Sequence, residues 1–403
     1  MEATQYFPSP ERKDHSAVRG AVLECGCVQK RIAVENTHEK IPRLPEILQG
    51  VCYNKENYQL TKNTMNNEAL EETVGKMMAR GKGLLAADES VKTAAKRLDA
   101  VGVESTEENR RLYRELFLGA EGIEEYLSGV IFYDETFRQK SNDGTPYPEL
   151  LERRGIVPGI KVDKSTIPFP GFPNEVLTAG LDGLAERFEE YYRLGARFAK
   201  WRVVVRIGEE IPTEECLQTN AILLARYARL AQEAGIVPMV EPEVLLDGPH
   251  SFSQSEDITE KTLVEVMKQL RRYRVHLPGV ILKTSMVLPG SESGQSVPTE
   301  EVGSATLRML HNSVPEELGG IVFLSGGQSP DGATINLNAI NSRGEQPWGL
   351  TFSYARALQG PSLEIWRGKE ENIAEARKAF LHRLKMNSLA SKGEYVSKLE
   401  QEG

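Results

Sequence analysis

Lysines occur inside segments that otherwise have the composition of buried β-strands. Lys283 lies near the end of the apolar run Gly279–Met286, and Lys200 lies in Phe198–Arg202. A charged side chain is rarely buried without a partner, because removing it from water is costly. A desolvated lysine, or one beside a second cation, has a lowered pKa, and its neutral amine can form a Schiff base with a carbonyl. Lys283 is therefore the candidate nucleophile.

Further charges lie near the ends of other strand-like runs. Residues two positions apart on a strand share a face. Three charged pairs have this spacing: Lys161 with Asp163, Lys200 with Arg202, and Glu241 with Glu243. Asp88 ends an earlier run. Together with Lys283 and the three pairs, it gives four cations and four carboxylates, so each charge can have a partner despite burial. This pattern predicts an active site; a salt-bridge network that only fills the interior is the alternative.

Two segments late in the chain have the composition of anion-binding loops. Ser325–Ser329 reads SGGQS, and Ser353–Arg356 reads SYAR. The backbone N–H groups of Gly326 and Gly327 can approach an anion, and the Arg356 guanidinium can bind it. A second anion position is predicted at Asp88–Thr93, where Ser90 and Thr93 precede a helix and Lys161 could reach them. The alternative there is that Ser90 or Thr93 simply caps the helix.

The elements that must position these residues follow from hydrophobic periodicity. The predicted strands are Gly83–Asp88, Gly129–Tyr133, Gly159–Asp163, Phe198–Val205, Val237–Glu243, Val280–Ser285, Ile321–Ser325 and Gly349–Ser353. The predicted helices include Leu181–Leu194, Glu214–Ala234, Glu260–Tyr273, Thr299–His311, Ala333–Asn341 and the closing Glu370–Asn387. The alternation is typical of a (β/α)8 TIM barrel, which places its chemistry at the C-terminal ends of the strands. An open doubly wound sheet is the alternative, but eight repeated units favour closure.

Composition and charge bound the remaining possibilities. The chain has 403 residues, and residues 1–60 lack a sustained period, so we predict an N-terminal extension followed by one barrel domain over 61–403 with a short C-terminal tail. A net charge of −9 argues against nucleic acid or an anionic membrane as a partner. The sequence has neither a signal-peptide pattern nor an apolar run of about 18 residues, so the cytoplasm is the expected location.

Metal and nucleotide chemistry are not predicted. The six histidines form no HxxxH or HxH pattern, and the four cysteines form no zinc-binding spacing. No G-x-G-x-x-G follows the first strand, and no G-x-x-x-x-G-K-[ST] occurs. We therefore expect a metal-independent reaction whose only covalent group is Lys283.

The segments LLAADES, GIKVDK, FAKWR, VPMVEPE, ILKTSMV, FLSGGQS and TFSYARALQ resemble those of class I fructose-1,6-bisphosphate aldolases. The resemblance extends from about residue 60 to about residue 395 and includes every predicted strand. It implies a (β/α)8 barrel, a homotetramer and a role in glycolysis and gluconeogenesis. It also implies reversible cleavage of fructose 1,6-bisphosphate to dihydroxyacetone phosphate and glyceraldehyde 3-phosphate.

The resemblance also implies roles for individual residues. Lys283 corresponds to the Schiff-base lysine, Glu241 to the acid of carbinolamine dehydration, and Asp88 to the residue that takes the C4 hydroxyl proton. Glu241 can serve as an acid at neutral pH if its surroundings raise its pKa. Glu243 and Lys200 correspond to supporting residues beside it. The implied phosphate and substrate contacts are Ser325, Gly326, Ala355 and Arg356 for C1, Ser90, Thr93 and Lys161 for C6, and additionally Gly327, Ser353 and Arg202.

The sequence departs from the family pattern in ways that leave alternatives open. Lys92 replaces a small residue near the C6-phosphate position, so an enzyme preferring fructose 1-phosphate or sedoheptulose 1,7-bisphosphate is an alternative. Ala355 replaces a glycine. The terminal tyrosine of animal members is absent, and Tyr395 is a weak candidate for its role. A non-catalytic scaffold barrel acting through residues 1–60 is the alternative from another functional class.

Overall fold

The structure is a computed structural model that describes residues 66–402. The predicted extension over 1–60 lies outside the described residues, as does the start of the predicted domain 61–403. That domain boundary therefore remains a prediction. From residue 66 onward the chain alternates between strands and helices.

Eight parallel strands of the described chain form a closed barrel. They are β1 (Gly83–Ala87), β2 (Leu127–Phe132), β3 (Val157–Lys161), β6 (Phe198–Val205), β7 (Val237–Val244), β8 (Ile281–Thr284), β9 (Gly320–Phe323) and β10 (Leu350–Tyr354). Their order around the barrel is β1-β10-β9-β8-β7-β6-β3-β2. Two short strands, β4 (Thr166–Pro168) and β5 (Val176–Thr178), pair as a separate antiparallel hairpin. The predicted (β/α)8 barrel is confirmed.

Helices alternate with the strands, and those after α1 lie outside the barrel. Helix α1 covers 66–77 of the described chain. The others are α2 (Val91–Asp99), α3 (Glu107–Leu118), α4 (Asp134–Arg138), α5 (Tyr147–Arg153), α6 (Leu184–Arg193), α7 (Glu214–Glu233), α8 (Phe252–Arg272), α9 (Thr299–Ser313), α10 (Pro330–Asn341), α11 (Arg356–Trp366) and α12 (Ile373–Ala390). A typical outer contact joins Trp201 of β6 to Tyr227 of α7, whose ring centroids are 5.5 Å apart.

Helix α1 seals the end of the barrel at which the strands begin. Its Leu70, Val74 and Met77 belong to the same apolar cluster as inward-facing strand residues such as Phe198. The Ser128 hydroxyl, near the start of β2, donates a hydrogen bond to Met77 O at 2.5 Å. Apolar side chains thus fill this end of the barrel, and the charged residues lie toward the other end.

Gly159 permits the tight packing below the charged residues. It is paired in register with Phe198, and a β-carbon at Gly159 would lie 2.2 Å from the Phe198 ring. No side chain fits in that space, so glycine is required by close approach. The Phe198 ring belongs to the inner apolar cluster, and Lys200 is the next residue of β6 on the same face.

The predicted strands agree with the structure to within a few residues, whereas several helices differ. Helix α8 begins at Phe252 rather than at Glu260, because Ser251 and Gln254 form a capping box that starts it earlier. The β4–β5 hairpin was not predicted, since three-residue strands are too short to show a period.

Candidate active site

Four charged side chains, three on barrel strands and one directly after β1, form one buried chain of alternating charge. Lys200 Nζ lies 2.6 Å from Asp88 Oδ2 and 2.8 Å from Glu241 Oε2. Lys283 Nζ lies 3.0 Å from Glu241 Oε1. Each of these side chains is at most 11% exposed, so each charge depends on its neighbours rather than on water. The structure thus brings together Asp88, Lys200, Glu241 and Lys283 as predicted.

The electrostatics of this chain keep its carboxylates ionised. Burial alone would raise the pKa of Asp88, but the charges of Lys200 and Lys283 outweigh it and hold the pKa well below its ordinary value. The same two lysines lower the pKa of Glu241 against the effect of burial. Burial would lower the pKa of Lys200, yet Asp88 and Glu241 raise it. In the free site the neighbouring cations, rather than burial, therefore set the direction in which the Glu241 pKa is shifted.

A second set of charges lies beside the first. Lys161 Nζ is 2.6 Å from Asp163 Oδ1, and Arg202 is paired with Glu243. Asp163 also accepts a hydrogen bond from the Arg202 backbone N–H at 3.4 Å. Glu243 and Lys200, predicted to support Glu241, differ in their contacts, since Lys200 touches Glu241 directly whereas Glu243 binds Arg202.

The glycines after β9 have the backbone conformation that a close turn requires. Gly326 and Gly327 have φ of 54° and 92°, values that side chains with a β-carbon rarely adopt. A β-carbon at Gly327 would lie 3.7 Å from Arg356 Nη2, so the two predicted anion-binding segments meet here. Ala355 has a negative φ of −109°, so its position does not require glycine, and alanine carries the same backbone N–H.

Two serines of these segments are buried beside the loop. Ser325 is 7% exposed and Ser353 is 1% exposed. The Ser353 hydroxyl has no hydrogen-bond partner among the residues that the structure describes. A buried hydroxyl without a partner is uncommon and is consistent with a site that receives a polar ligand.

The start of α2 shows the capping arrangement. Ser90 is the N-cap, and its hydroxyl oxygen accepts a hydrogen bond from the Thr93 backbone N–H at 3.3 Å. The two hydroxyl oxygens are 3.1 Å apart. The charge of Lys161 lowers the pKa of Asp88, which places Lys161 near this end of β1. Capping and anion binding are compatible, because other N–H groups of the first turn face outward.

Residues 66–402 contain neither a group of metal ligands nor a membrane-spanning helix. No group of three or more histidine, cysteine, aspartate or glutamate side chains there is arranged to hold a metal ion. None of the helices in this range is both long enough and apolar enough to cross a membrane.

Comparison with known proteins decides the family. The sequence model described as fructose-bisphosphate aldolase class-I matches residues 69–403. The chain belongs to the class I fructose-bisphosphate aldolase family. The charged chain and both predicted phosphate sites of this aldolase lie within the matched range.

Individual aldolases are similar over most of their length. A probable class 1 fructose-bisphosphate aldolase of Xanthomonas campestris pv. campestris is 49% identical, covering 82% of this chain and 99% of the relative. Cytosolic fructose-bisphosphate aldolase 4 of Arabidopsis thaliana is 49% identical, covering 78% of this chain and 80% of the relative. A solved fructose-bisphosphate aldolase from Plasmodium falciparum has a TM-score of 0.81 at 48% identity, covering 82% and 96% of the two chains.

Sequence reasoning missed the polar contacts behind Asp88 in this aldolase. Glu89, 7% exposed, is paired with Arg97 and with Arg114, whose Nη1 is 2.6 Å away. Gln359 of α11 donates a hydrogen bond to Ala86 O at 2.8 Å and so holds the end of β1. The signal was available, since Glu89 follows Asp88 on the alternate face and needs a partner of its own.

Tyr395 lies in a contact unrelated to the charged chain. Its hydroxyl is 3.1 Å from Glu400 Oε1, and its backbone N–H donates to Asn338 Oδ1 at 3.0 Å. The ring is 6% exposed and belongs to the outer apolar core. These contacts give Tyr395 a structural role and do not support it as the replacement for a terminal tyrosine.

The lowered pKa of Asp88 predicts a pH-dependent stability difference. A carboxylate whose folded pKa is depressed stabilises the fold above its ordinary pKa of 3.8 and loses that contribution as the pH falls below it. We expect Asp88→Asn to lower the free energy of unfolding most at pH 7, with the gap to wild type narrowing toward pH 3. Urea unfolding at both pH values measures it. The exposed Asp99→Asn is the control, and a gap that widens in acid would contradict the pairing.

Proposed function

We propose that this protein cleaves fructose 1,6-bisphosphate reversibly to dihydroxyacetone phosphate and glyceraldehyde 3-phosphate through an imine on Lys283. The observation that carries the proposal is the 3.0 Å contact between Lys283 Nζ and Glu241 Oε1, inside a buried chain of alternating charge. A nucleophile and an adjacent proton acceptor are the two groups that imine formation needs. Membership of the class I aldolase family supports the same reaction.

Glu241 handles the proton in imine formation. The Glu241 carboxylate, which Lys200 and Lys283 keep ionised, lies 3.0 Å from Lys283 Nζ and can accept a proton from it. The neutral amine attacks C2 of the ketose, and the proton of the added nitrogen moves to the former carbonyl oxygen. Glu241 then returns its proton to that hydroxyl, water leaves, and the protonated imine forms. Glu241 is therefore an acid in this step only after it has accepted a proton from Lys283.

Asp88 takes part in breaking the carbon–carbon bond. The C3–C4 bond electrons move toward the protonated imine nitrogen, which leaves an enamine on Lys283. Asp88, kept ionised by Lys200, takes the proton of the C4 hydroxyl as the aldehyde forms. Lys200 contacts both Asp88 and Glu241, so it stabilises the ionised form of each carboxylate. A proton is then added at C3, and water hydrolyses the resulting imine, which releases dihydroxyacetone phosphate and restores the Lys283 amine.

The two phosphates are proposed to bind on opposite sides of the mouth. The C1 phosphate is bound by Ser325, Gly326, Gly327 and Arg356, with Ser353 and Ala355 beside them. The C6 phosphate is bound by Ser90, Thr93 and Lys161, with Arg202 nearby. Lys92, exposed in the first turn of α2, adds a charge on this side and favours a ketose with a second phosphate. Comparison of kcat/KM for fructose 1,6-bisphosphate and fructose 1-phosphate distinguishes this preference from the monophosphate alternative.

Borohydride trapping tests the proposed reaction. The protein is incubated with fructose 1,6-bisphosphate, reduced with borohydride and mapped by mass spectrometry. A reduced triose-phosphate or hexose-phosphate adduct on Lys283 supports the proposal. Measurable cleavage without an adduct would refute the imine, and absence of both would refute the substrate assignment.

Arg356 provides a test of the C1-phosphate site. We expect Arg356→Gln to lower kcat/KM about 10- to 100-fold, mainly through KM, because a charge-assisted hydrogen bond contributes about 1.5–3 kcal/mol. Steady-state cleavage of fructose 1,6-bisphosphate measures the effect. The exposed Arg367 at the other end of α11 provides the control Arg367→Gln. Equal kinetics for the two variants would remove Arg356 from the site.

Location and assembly belong to the same proposal. We propose a cytosolic homotetramer that acts in glycolysis and gluconeogenesis. Family membership supports this assembly, and the cytosolic Arabidopsis thaliana relative supports the location. Light scattering coupled to size-exclusion chromatography tests the assembly, and a monomeric mass would refute it.

A further inference from the structure

The 3-10 helix Ser397–Glu402 contacts the rest of the fold through Leu399, which packs against the apolar core, and through the polar contacts of the Glu400 carboxylate. Glu400 accepts hydrogen bonds from Arg383 Nη1 at 2.7 Å to Oε1 and 2.8 Å to Oε2. His382 Nε2 lies 2.8 Å from Glu400 Oε2, and the Tyr395 hydroxyl lies 3.1 Å from Oε1. Three side chains from α12 and its following segment therefore converge on Glu400.

Arg383 extends from Glu400 to the first turn of α10. Its Nη2 donates to Pro330 O at 3.1 Å and also to the Thr334 hydroxyl. Its Nη1 lies 3.0 Å from Asp331 Oδ1. One guanidinium thus binds a backbone carbonyl and two side chains at the start of a helix that directly follows the candidate C1-phosphate loop.

The start of α10 and that loop form one hydrogen-bonded unit. Ser329 caps α10, its hydroxyl oxygen accepting from the Gly332 N–H at 3.1 Å. Asn336 of α10 donates to Gln328 Oε1 at 2.8 Å, and the Gln328 N–H donates to Ser325 O at 2.9 Å. A displacement of the first turn of α10 would therefore move the loop at Gly326 and Gly327.

Burial makes Arg383 depend on Glu400. The Arg383 side chain is 5% exposed, the Glu400 side chain 21% and the Asp331 side chain 66%. A solvated aspartate compensates a buried cation weakly, so Glu400 is its main counter-charge. Burial would raise the pKa of Glu400, but the hydrogen bonds from His382 and Arg383 lower it, so the carboxylate is charged at neutral pH.

We propose that Glu400 is a positioning residue for the C1-phosphate loop and acts through Arg383 on the first turn of α10. Without the Glu400 charge, Arg383 moves toward water and no longer holds Pro330 and Thr334. The loop glycines then lose the fixed orientation that directs their N–H groups at a phosphate. The kinetic consequence rests on the proposed function, whereas the structural coupling between residues 400 and 326–334 does not.

The variant Glu400→Gln tests both parts, because it removes the charge and keeps the shape. We expect faster amide hydrogen exchange at 326–334, with exchange in β6 and β7 unchanged. We also expect KM to rise about five- to tenfold for fructose 1,6-bisphosphate and for fructose 1-phosphate, with kcat within about twofold of wild type. Both ketoses carry the C1 phosphate, so both should respond.

Two further variants serve as controls. Glu394 lies in the same C-terminal segment, its side chain is 52% exposed, and its carboxylate is paired with Lys392 at 2.8 Å. Glu394→Gln should leave amide exchange and KM unchanged. Glu400→Asp keeps the charge, so its KM should lie between the KM of wild type and that of Glu400→Gln. If Glu400 had only a structural role, Glu400→Gln would have a lower melting temperature, but the KM of Glu400→Asp would not fall back toward that of wild type.

The outcomes separate this inference from the proposed function. Unchanged exchange at 326–334 in Glu400→Gln would overturn the coupling whatever the activity. Faster exchange with an unchanged KM would overturn the positioning role. If the wild-type protein cleaved none of the ketoses, the proposed function would fail, and the exchange measurement alone would decide the coupling.

Discussion

Replacement of Lys283 by arginine is expected to abolish cleavage of fructose 1,6-bisphosphate while leaving the protein folded. Arginine keeps the positive charge beside Glu241, but its guanidinium is not deprotonated in proteins and cannot form an imine. Loss of a covalent nucleophile costs roughly 10⁶-fold in other enzymes, so we expect kcat to fall by at least about four orders of magnitude. Steady-state kinetics and borohydride trapping of the same preparations measure it.

Lys283→Met provides the comparison for Lys283→Arg. It removes the nucleophile together with the charge that is paired with Glu241 at 3.0 Å. Both variants should be inactive and unlabelled, but only the methionine variant should lose stability. Substantial activity in either variant would show that another group forms the covalent intermediate.

Lys200→Met is expected to have the largest effect on stability. The methionine fills the volume of the lysine stem, but Asp88 and Glu241 lose the cation that lies 2.6 and 2.8 Å from them. Removing one partner from a buried ionic group costs about 3–5 kcal/mol. We expect the free energy of unfolding to fall by this order and kcat to fall with it, because the pKa of Asp88 and of Glu241 will rise. Urea unfolding at pH 7 measures the first effect.

An exposed ion pair supplies the matched control for Lys200. Lys268, whose side chain is 59% exposed, is paired with Glu265 at 2.9 Å, so Lys268→Met should cost at most about 1 kcal/mol. The double variant Lys200→Met/Asp88→Asn should be less destabilised than the sum of its single variants, because it leaves fewer unpaired charges. Additive effects would mean that the two side chains are not coupled.

The architecture of the site could be predicted because each strand reveals its inward face through alternation. That rule placed Lys200 and Arg202 on the same face of their strand, and Glu241 and Glu243 on the same face of theirs. The barrel fold then brought the two strands together. The rule could not assign partners. The strand register places Arg202 opposite Glu241 along the backbone. The side chains nevertheless pair differently, since Lys200 contacts Glu241 and Arg202 contacts Glu243. Register depends on packing of the whole barrel and is not contained in one strand's period.

The polar contacts outside the barrel were harder to foresee. The sequence does not distinguish Arg383 from the other charged residues of α12. In the structure it is buried and joins α12 to the start of α10. The partners of Glu89, which are Arg97 of α2 and Arg114 of α3, likewise lie on helices that follow it in the chain. A single sequence shows which residues carry charge, but the partner of a buried charge depends on helices far apart in the chain.

The position of α1 has a consequence for attachment of the protein to other structures. Because this helix seals the end of the barrel where the strands begin, the chain enters the fold at the end remote from Lys283. A support attached chemically at residue 66, the first residue of α1, would hold the barrel from the end opposite Lys283. Immobilisation at that position should therefore leave turnover unchanged.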